Sequence, residues 1–178
     1  MSAPRGRLRG EHGMTMIELC IVMVILGILM VVGIASLLRA RLSANESAAM
    51  AGLRATASAQ FAYLSGCGAG NYATSYIILG TMPSPNNQGY ITPDLGSAVE
   101  PSRNGYTFRL QMGSGGAVAA ADCNGNPTQT KYYASATPNV LGQTGDNSFA
   151  INGANSAYQL PGSAAPTEPF GPPAILVQ

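Results

Sequence analysis

Glu18 is the residue whose chemistry is hardest to satisfy in this 178-residue chain, because it stands at the head of an apolar run, EHGMTMIELCIVMVILGIL from Glu11 to Leu29. An ionised carboxylate at hydrocarbon depth costs roughly 2.5–3.5 kcal/mol, so Glu18 calls for a partner that offsets its charge. Cysteine supplies the second kind of chemistry. Cys20 lies inside the apolar run, while Cys67 and Cys123 lie beyond it, where an oxidising compartment would allow a bridge. Closing that loop would stabilise a small domain by about 4 kcal/mol on the chain-entropy estimate. Two thiols that never meet remain the alternative, since spacing alone does not bring them together.

Catalysis finds little material. The one histidine, His12, precedes the apolar run, and the acids beyond the helix are Asp94, Glu100, Asp122, Asp146 and Glu168. No nucleophile, base and orienting group can be assembled from these, so the expectation is a protein without enzymatic activity, cofactor or metal. DCNGN, Asp122 to Asn126, opens like a calcium loop but lacks the closing acid, which favours a turn. Nine basic and eight acidic residues give a net charge of +1 and select no charged partner. Arg103, Arg109 and Lys131 are too few for strong direct nucleic-acid binding.

The elements that carry these residues follow from hydropathy and punctuation. Leu19 to Leu38 is a stretch of twenty uncharged residues, long enough as a helix to cross a bilayer of about 30 Å, and it predicts a single membrane segment. Arg5, Arg7 and Arg9 before it hold the N-terminus in the cytoplasm and send the rest of the chain outward, though Arg39 and Arg41 dilute the bias. Beyond the run, Met50, Leu53, Ala57, Phe61 and Leu64 recur at helical spacing, with Arg54, Ser58 and Gln60 off that stripe. The helix is predicted to continue from Met14 to about Leu64 and to stop at the glycine-rich SGCGAG, Ser65 to Gly70.

A loop with four prolines follows to Asn104, then alternating GYTFRLQM (Gly105 to Met112), KYYASA (Lys131 to Ala136) and a hairpin of NSFAIN with SAYQL. AVAAA, Ala117 to Ala121, is expected to pair with the first of these through Gly115 and Gly116. The last eighteen residues hold five prolines and should wrap the surface, with AILVQ able to pair only at an edge.

Gly13, Met14 and Glu18, with the basic leader before them and MTMIELCIVMVILGIL after, resemble the processing and assembly signature of type IV pilins and the related type II secretion pseudopilins. The resemblance is close over some twenty-five residues, and architectural only from Tyr90 onward. One departure is Ala35, where most members of that family carry proline; Gly27 and Gly33 remain as weak helical positions.

The resemblance implies cleavage by a prepilin peptidase between Gly13 and Met14, N-methylation of Met14, and a role in assembly for Glu18, paired with the new α-amino group of its own or a neighbouring subunit. It further implies a pilin-like α+β fold: leader 1–13, membrane or filament-core helix 14–38, amphipathic helix 39–65, αβ-loop 66–104, antiparallel sheet 105–160 and proline-rich tail 161–178. The expected partners are copies of the same chain in a filament, the peptidase, the assembly platform with its ATPase, and the inner membrane before assembly. The subunit would begin as a single-pass inner-membrane protein with a periplasmic globular domain and end in an extracellular pilus serving adhesion, motility or DNA uptake. A pseudopilin forming a periplasmic piston is the alternative. An uncleaved signal anchor and ordinary signal-peptidase cleavage after Gly33-Ile34-Ala35 fit less well, the second because the apolar run exceeds that of secretory signals.

Overall fold

The computed structural model describes residues 13–81 and 88–177, with the side chains of residues 32, 33 and 35 outside that description. The leader through residue 12, including His12 and the three leader arginines, lies outside the described residues. The chain divides into two units, Met1–Arg39 and Ala40–Gln178.

The first unit contributes one structural element, the beginning of helix α1, Met16–Ser65. No proline interrupts α1, and the large apolar side chains described between Met16 and Leu38 are exposed, Met16 by 82%. This helix is long and apolar enough to cross a membrane. Its hydrogen-bonded ladder continues through Gly27, because an isolated glycine weakens a helix by about 1 kcal/mol without ending it.

The second unit is an α+β domain in which the rest of α1 packs on antiparallel sheet. Ala49, Met50, Leu53, Ala57, Ala59 and Tyr63 bury one face of the helix. The buried stripe departs from the expected one after Ala57: Phe61 is 70% exposed and Leu64 half-buried, whereas Gln60 and Tyr63 are fully inside. The cause is pairing as much as period. Gln60 donates through Nε2 to the Ala73 carbonyl at 3.0 Å and accepts from the Ala73 amide through Oε1 at 2.9 Å. With both ends satisfied, an amide side chain is buried at little cost. At the C-terminus the glycine-rich stop acts through its amides: Gly68 donates to the Tyr63 carbonyl and Gly70 to that of Leu64. Gly70 adopts a φ of +86°, which closes the helix in the manner glycine permits.

Two sheets complete the unit. The larger has the order β2-β3-β6-β7-β8-β9, made of β2 (Ser102–Arg103), β3 (Tyr106–Met112), β6 (Tyr132–Pro138), β7 (Asn147–Asn152), β8 (Ala157–Pro161) and β9 (Ile175–Val177). Its neighbours all pair antiparallel. Strand alternation aims Tyr106, Phe108 and Leu110 of β3, Tyr132, Ala134 and Ala136 of β6, and Phe149 and Ile151 of β7 into the core. Gly52 of α1 lets the helix approach the sheet closely: a Cβ there would lie 2.7 Å from two ring carbons of Phe108.

The smaller sheet, order β1-β5-β4, joins Tyr72–Ala73, Thr128–Gln129 and Val118–Ala119. AVAAA therefore pairs with β5 through Val118 and Ala119, and not with β3 as expected. One side of β3 is taken by β6 over the full length of the strand, while Gln129 donates to the Ala73 carbonyl within the small sheet and ties that sheet to the large one through the Gln111 carbonyl. Helices α2 (Tyr76–Gly80) and α3 (Pro93–Gly96) occupy the described parts of the loop before the sheet, and bury Tyr76, Leu79 and Leu95. The proline-rich tail crosses the outer face and returns as β9, the edge strand that its composition permits.

Candidate functional site

The head of α1 is built from four residues. Gly13, Met14 and Thr15 precede the helix and are exposed, and a Cβ built on Gly13 meets nothing within 4 Å. Thr15 caps the helix: its carbonyl receives the Leu19 amide, and its Oγ1 accepts the Glu18 amide at 3.3 Å. Glu18 reciprocates, taking the Thr15 amide on Oε2 at 3.4 Å. This is a capping box, in which two amides left without intrahelical partners are satisfied by the side chains of the cap and of the third helical residue. It also fixes the Glu18 carboxylate at the positive end of the helix dipole, on the Thr15 amide. Sequence reasoning attended to Glu18 and passed over Thr15, although Thr-x-x-Glu before an apolar run signals such a box.

Cys67 and Cys123 form a disulfide across 56 positions, with Cα atoms 4.9 Å apart. The bridge has company: the Cys123 amide donates to the Cys67 carbonyl at 3.0 Å, and Tyr63 donates its hydroxyl to Asp122 at 2.8 Å. DCNGN folds as a turn around the same carboxylate, which accepts from the Asn124 and Asn126 amides and from the Asn126 side chain. Burial works against the charged form of Asp122, but the hydrogen bonds from Asn126, Tyr63 and Asn124 outweigh it and hold the carboxyl below its usual range. On the other side of the bond, burial and the Asp122 carboxylate push the Tyr63 phenol well up. Cys20 is an exposed free thiol in the apolar half of α1.

Among the described residues, no group of three or more His, Cys, Asp or Glu side chains gathers where a metal could bind. The three basic side chains considered for nucleic acid each have a local partner. Arg103 pairs with Asp94, Arg109 pairs with Glu100, and Lys131 donates to the Ser114 carbonyl.

A family model described as the prokaryotic N-terminal methylation motif matches residues 8–34. The chain carries that motif. It takes in Gly13, Met14, the capping box and most of the exposed apolar helix, and it supports a prepilin of the pilin or pseudopilin type. The motif with the apolar helix behind it fits a membrane-anchored precursor. No curated protein and no solved structure matches the chain.

Proposed function

We propose that the chain is a non-enzymatic structural subunit of a type IV pilus, cut between Gly13 and Met14, N-methylated at Met14 and polymerised through the first half of α1. The observation that carries this reading is the methylation motif set on a helix whose large apolar side chains, among the described residues, are exposed from Met16 to Leu38. In a bilayer those side chains are covered by lipid; outside it, a bundle of identical helices supplies the same cover. Glu18 is the exception to apolarity, and the capping box holds it on the Thr15 amide, one residue along the chain from the Met14 nitrogen that cleavage would free. A cation there offsets the charge, and a buried carboxylate deprived of such a partner is strongly disfavoured, by about 3–5 kcal/mol.

The test is co-expression with a prepilin peptidase and a pilus assembly system, followed by terminal mass analysis and shearing of surface fibres. A mature terminus at N-methylated Met14, with the chain recovered in sheared fibres, is the expected result. A terminus at Met1 or Ser36 overturns the reading, and a correctly processed chain confined to the envelope supports the pseudopilin instead. Glu18→Ala is expected to leave membrane insertion intact and to reduce fibre yield about a hundredfold, the equivalent of roughly 3 kcal/mol lost per subunit contact.

A further inference from the structure

The outer face of the large sheet, turned away from α1, carries a cleft of about 920 Å³, within the roughly 300–1,000 Å³ span of ligand sites. Its floor is the polar alternation of two central strands: Thr107, Arg109 and Gln111 of β3 stand opposite Thr137, Ser135 and Tyr133 of β6. The tail forms one wall through Ser163, Ala165 and Thr167. That wall is fixed: Glu168 accepts from the Ser114 amide and the Asn152 side chain, Tyr133 donates to the Pro166 carbonyl, and Phe170 stacks on Tyr158 at 4.3 Å. A site so held loses little freedom when it is filled.

The lining selects by what it offers and by what it withholds. Arg109 and Glu100 satisfy one another through two contacts of 3.1 Å, and both oxygens of Glu168 already accept from neutral donors, so each of these charged groups at the cleft has its partners. An anionic ligand or a phosphate backbone would find no free cation. An added strand would find little free backbone, since β6 lies between β3 and β7, and β3 is paired with β6 over its whole length and with β2 at Tyr106 and Thr107. What remains are hydroxyls and amides that both donate and accept, partly ordered by the bond from Thr107 to Asn139 at 2.7 Å and from Asn139 to Ser102 at 2.9 Å. Met112, Pro138 and the Tyr133 ring add apolar surface between them.

We propose that this cleft binds a neutral oligosaccharide. A sugar presents the complement of this lining: hydroxyls that donate and accept, no charge, and C–H faces that rest on the Tyr133 ring and on aliphatic surface. The inference stands on the second unit alone and holds whether or not the chain polymerises.

The test uses the full chain in a detergent without a sugar headgroup, applied to an array of neutral, sialylated and sulfated oligosaccharides. The expected result is retention of one or more neutral glycans, unaffected by added salt. Affinity should fall about tenfold for Gln111→Leu and again for Thr137→Val, one hydrogen-bonded contact each. Both positions are solvent-accessible, and unchanged circular dichroism with an intact disulfide confirms that the variants are folded. Absence of neutral-glycan binding, equal binding by the double variant, or a preference for acidic glycans that salt abolishes would each overturn the proposal.

Discussion

From Met16 to Leu38 the large apolar side chains described on α1 are exposed, whereas from Ala49 to Tyr63 the same helix buries a continuous face and pairs its inward polar groups within its own chain. Thr56 returns its hydroxyl to the Gly52 carbonyl and meets the Tyr76 hydroxyl at 3.1 Å, and Gln60 is bonded at both ends. The first half thus leaves its apolar surface open among the described residues, whereas the second is covered by them. One helix can serve both because backbone bonding is indifferent to which surface the side chains need. Substitutions in the second half should be felt as stability of the domain, and substitutions in the first half as membrane retention or assembly.

The largest effect expected in the second unit comes from the disulfide. Cys67→Ser with Cys123→Ser should destabilise it by about 4 kcal/mol, given the length of chain closed by the bridge. Urea denaturation of the full chain in detergent, followed by tyrosine near-ultraviolet dichroism, measures this, while partition into the membrane fraction should not change. An unaltered midpoint would show that the domain is held by its sheet alone. Leu53→Ala sets the halves directly against each other, because Leu53 is 0% exposed and Leu26 is 45% exposed. The first substitution should cost about 2–5 kcal/mol in the same denaturation, and Leu26→Ala close to nothing. Equal costs at the two positions would erase the distinction.

A smaller effect is expected from acid. The Asp122 carboxyl is held below its unfolded value of about 3.9, so its contribution is complete above roughly pH 4 and is lost as the pH falls through the lower folded value. Asp122→Asn should flatten that acid dependence and cost about 1–3 kcal/mol at neutral pH, since the turn amides and Tyr63 lose their charged acceptor. Denaturation of both proteins across that pH range checks it. A parallel acid response in the variant would transfer the effect to another carboxylate.

Much of this contrast is legible in the sequence, and the exceptions have physical causes. Period-two alternation in GYTFRLQM marks β3, because a strand with one buried face must alternate. The glycine-rich stop marks the end of α1 at Ser65, because glycine reaches the conformation that closes a helix. Burial of Gln60 is not legible, since an amide enters a core only when a distant backbone segment, here Ala73, meets both its ends. Nor is the pairing of Val118 and Ala119 with β5: two-residue strands are chosen by their surroundings and not by pattern. The cleft on the outer face escapes for a related reason. Polar residues there read as the solvent side of a strand, and only the folded tail turns that side into a walled site.

The smallest expected effect is at Thr15, and it sharpens the reading of Glu18. Two roles overlap there: the carboxylate closes the capping box, and in the proposed filament it offsets an amine. Thr15→Val removes the cap hydroxyl and keeps the carboxylate, at a cost of about 1 kcal/mol to the first helical turn. Glu18→Gln keeps an acceptor for the Thr15 amide and removes the charge. If charge pairing is what assembly needs, Thr15→Val should assemble within a few-fold of the parent chain while Glu18→Gln fails much as Glu18→Ala does. If the cap is what matters, the order reverses, with Thr15→Val impaired and Glu18→Gln close to normal. Fibre yield from the two single variants, compared at equal membrane levels of the precursor, separates the cases. Either defect recurs in every subunit of a bundle, but the cap is worth about 1 kcal/mol and the charge pairing about 3–5 kcal/mol, so the difference should widen as the fibre grows.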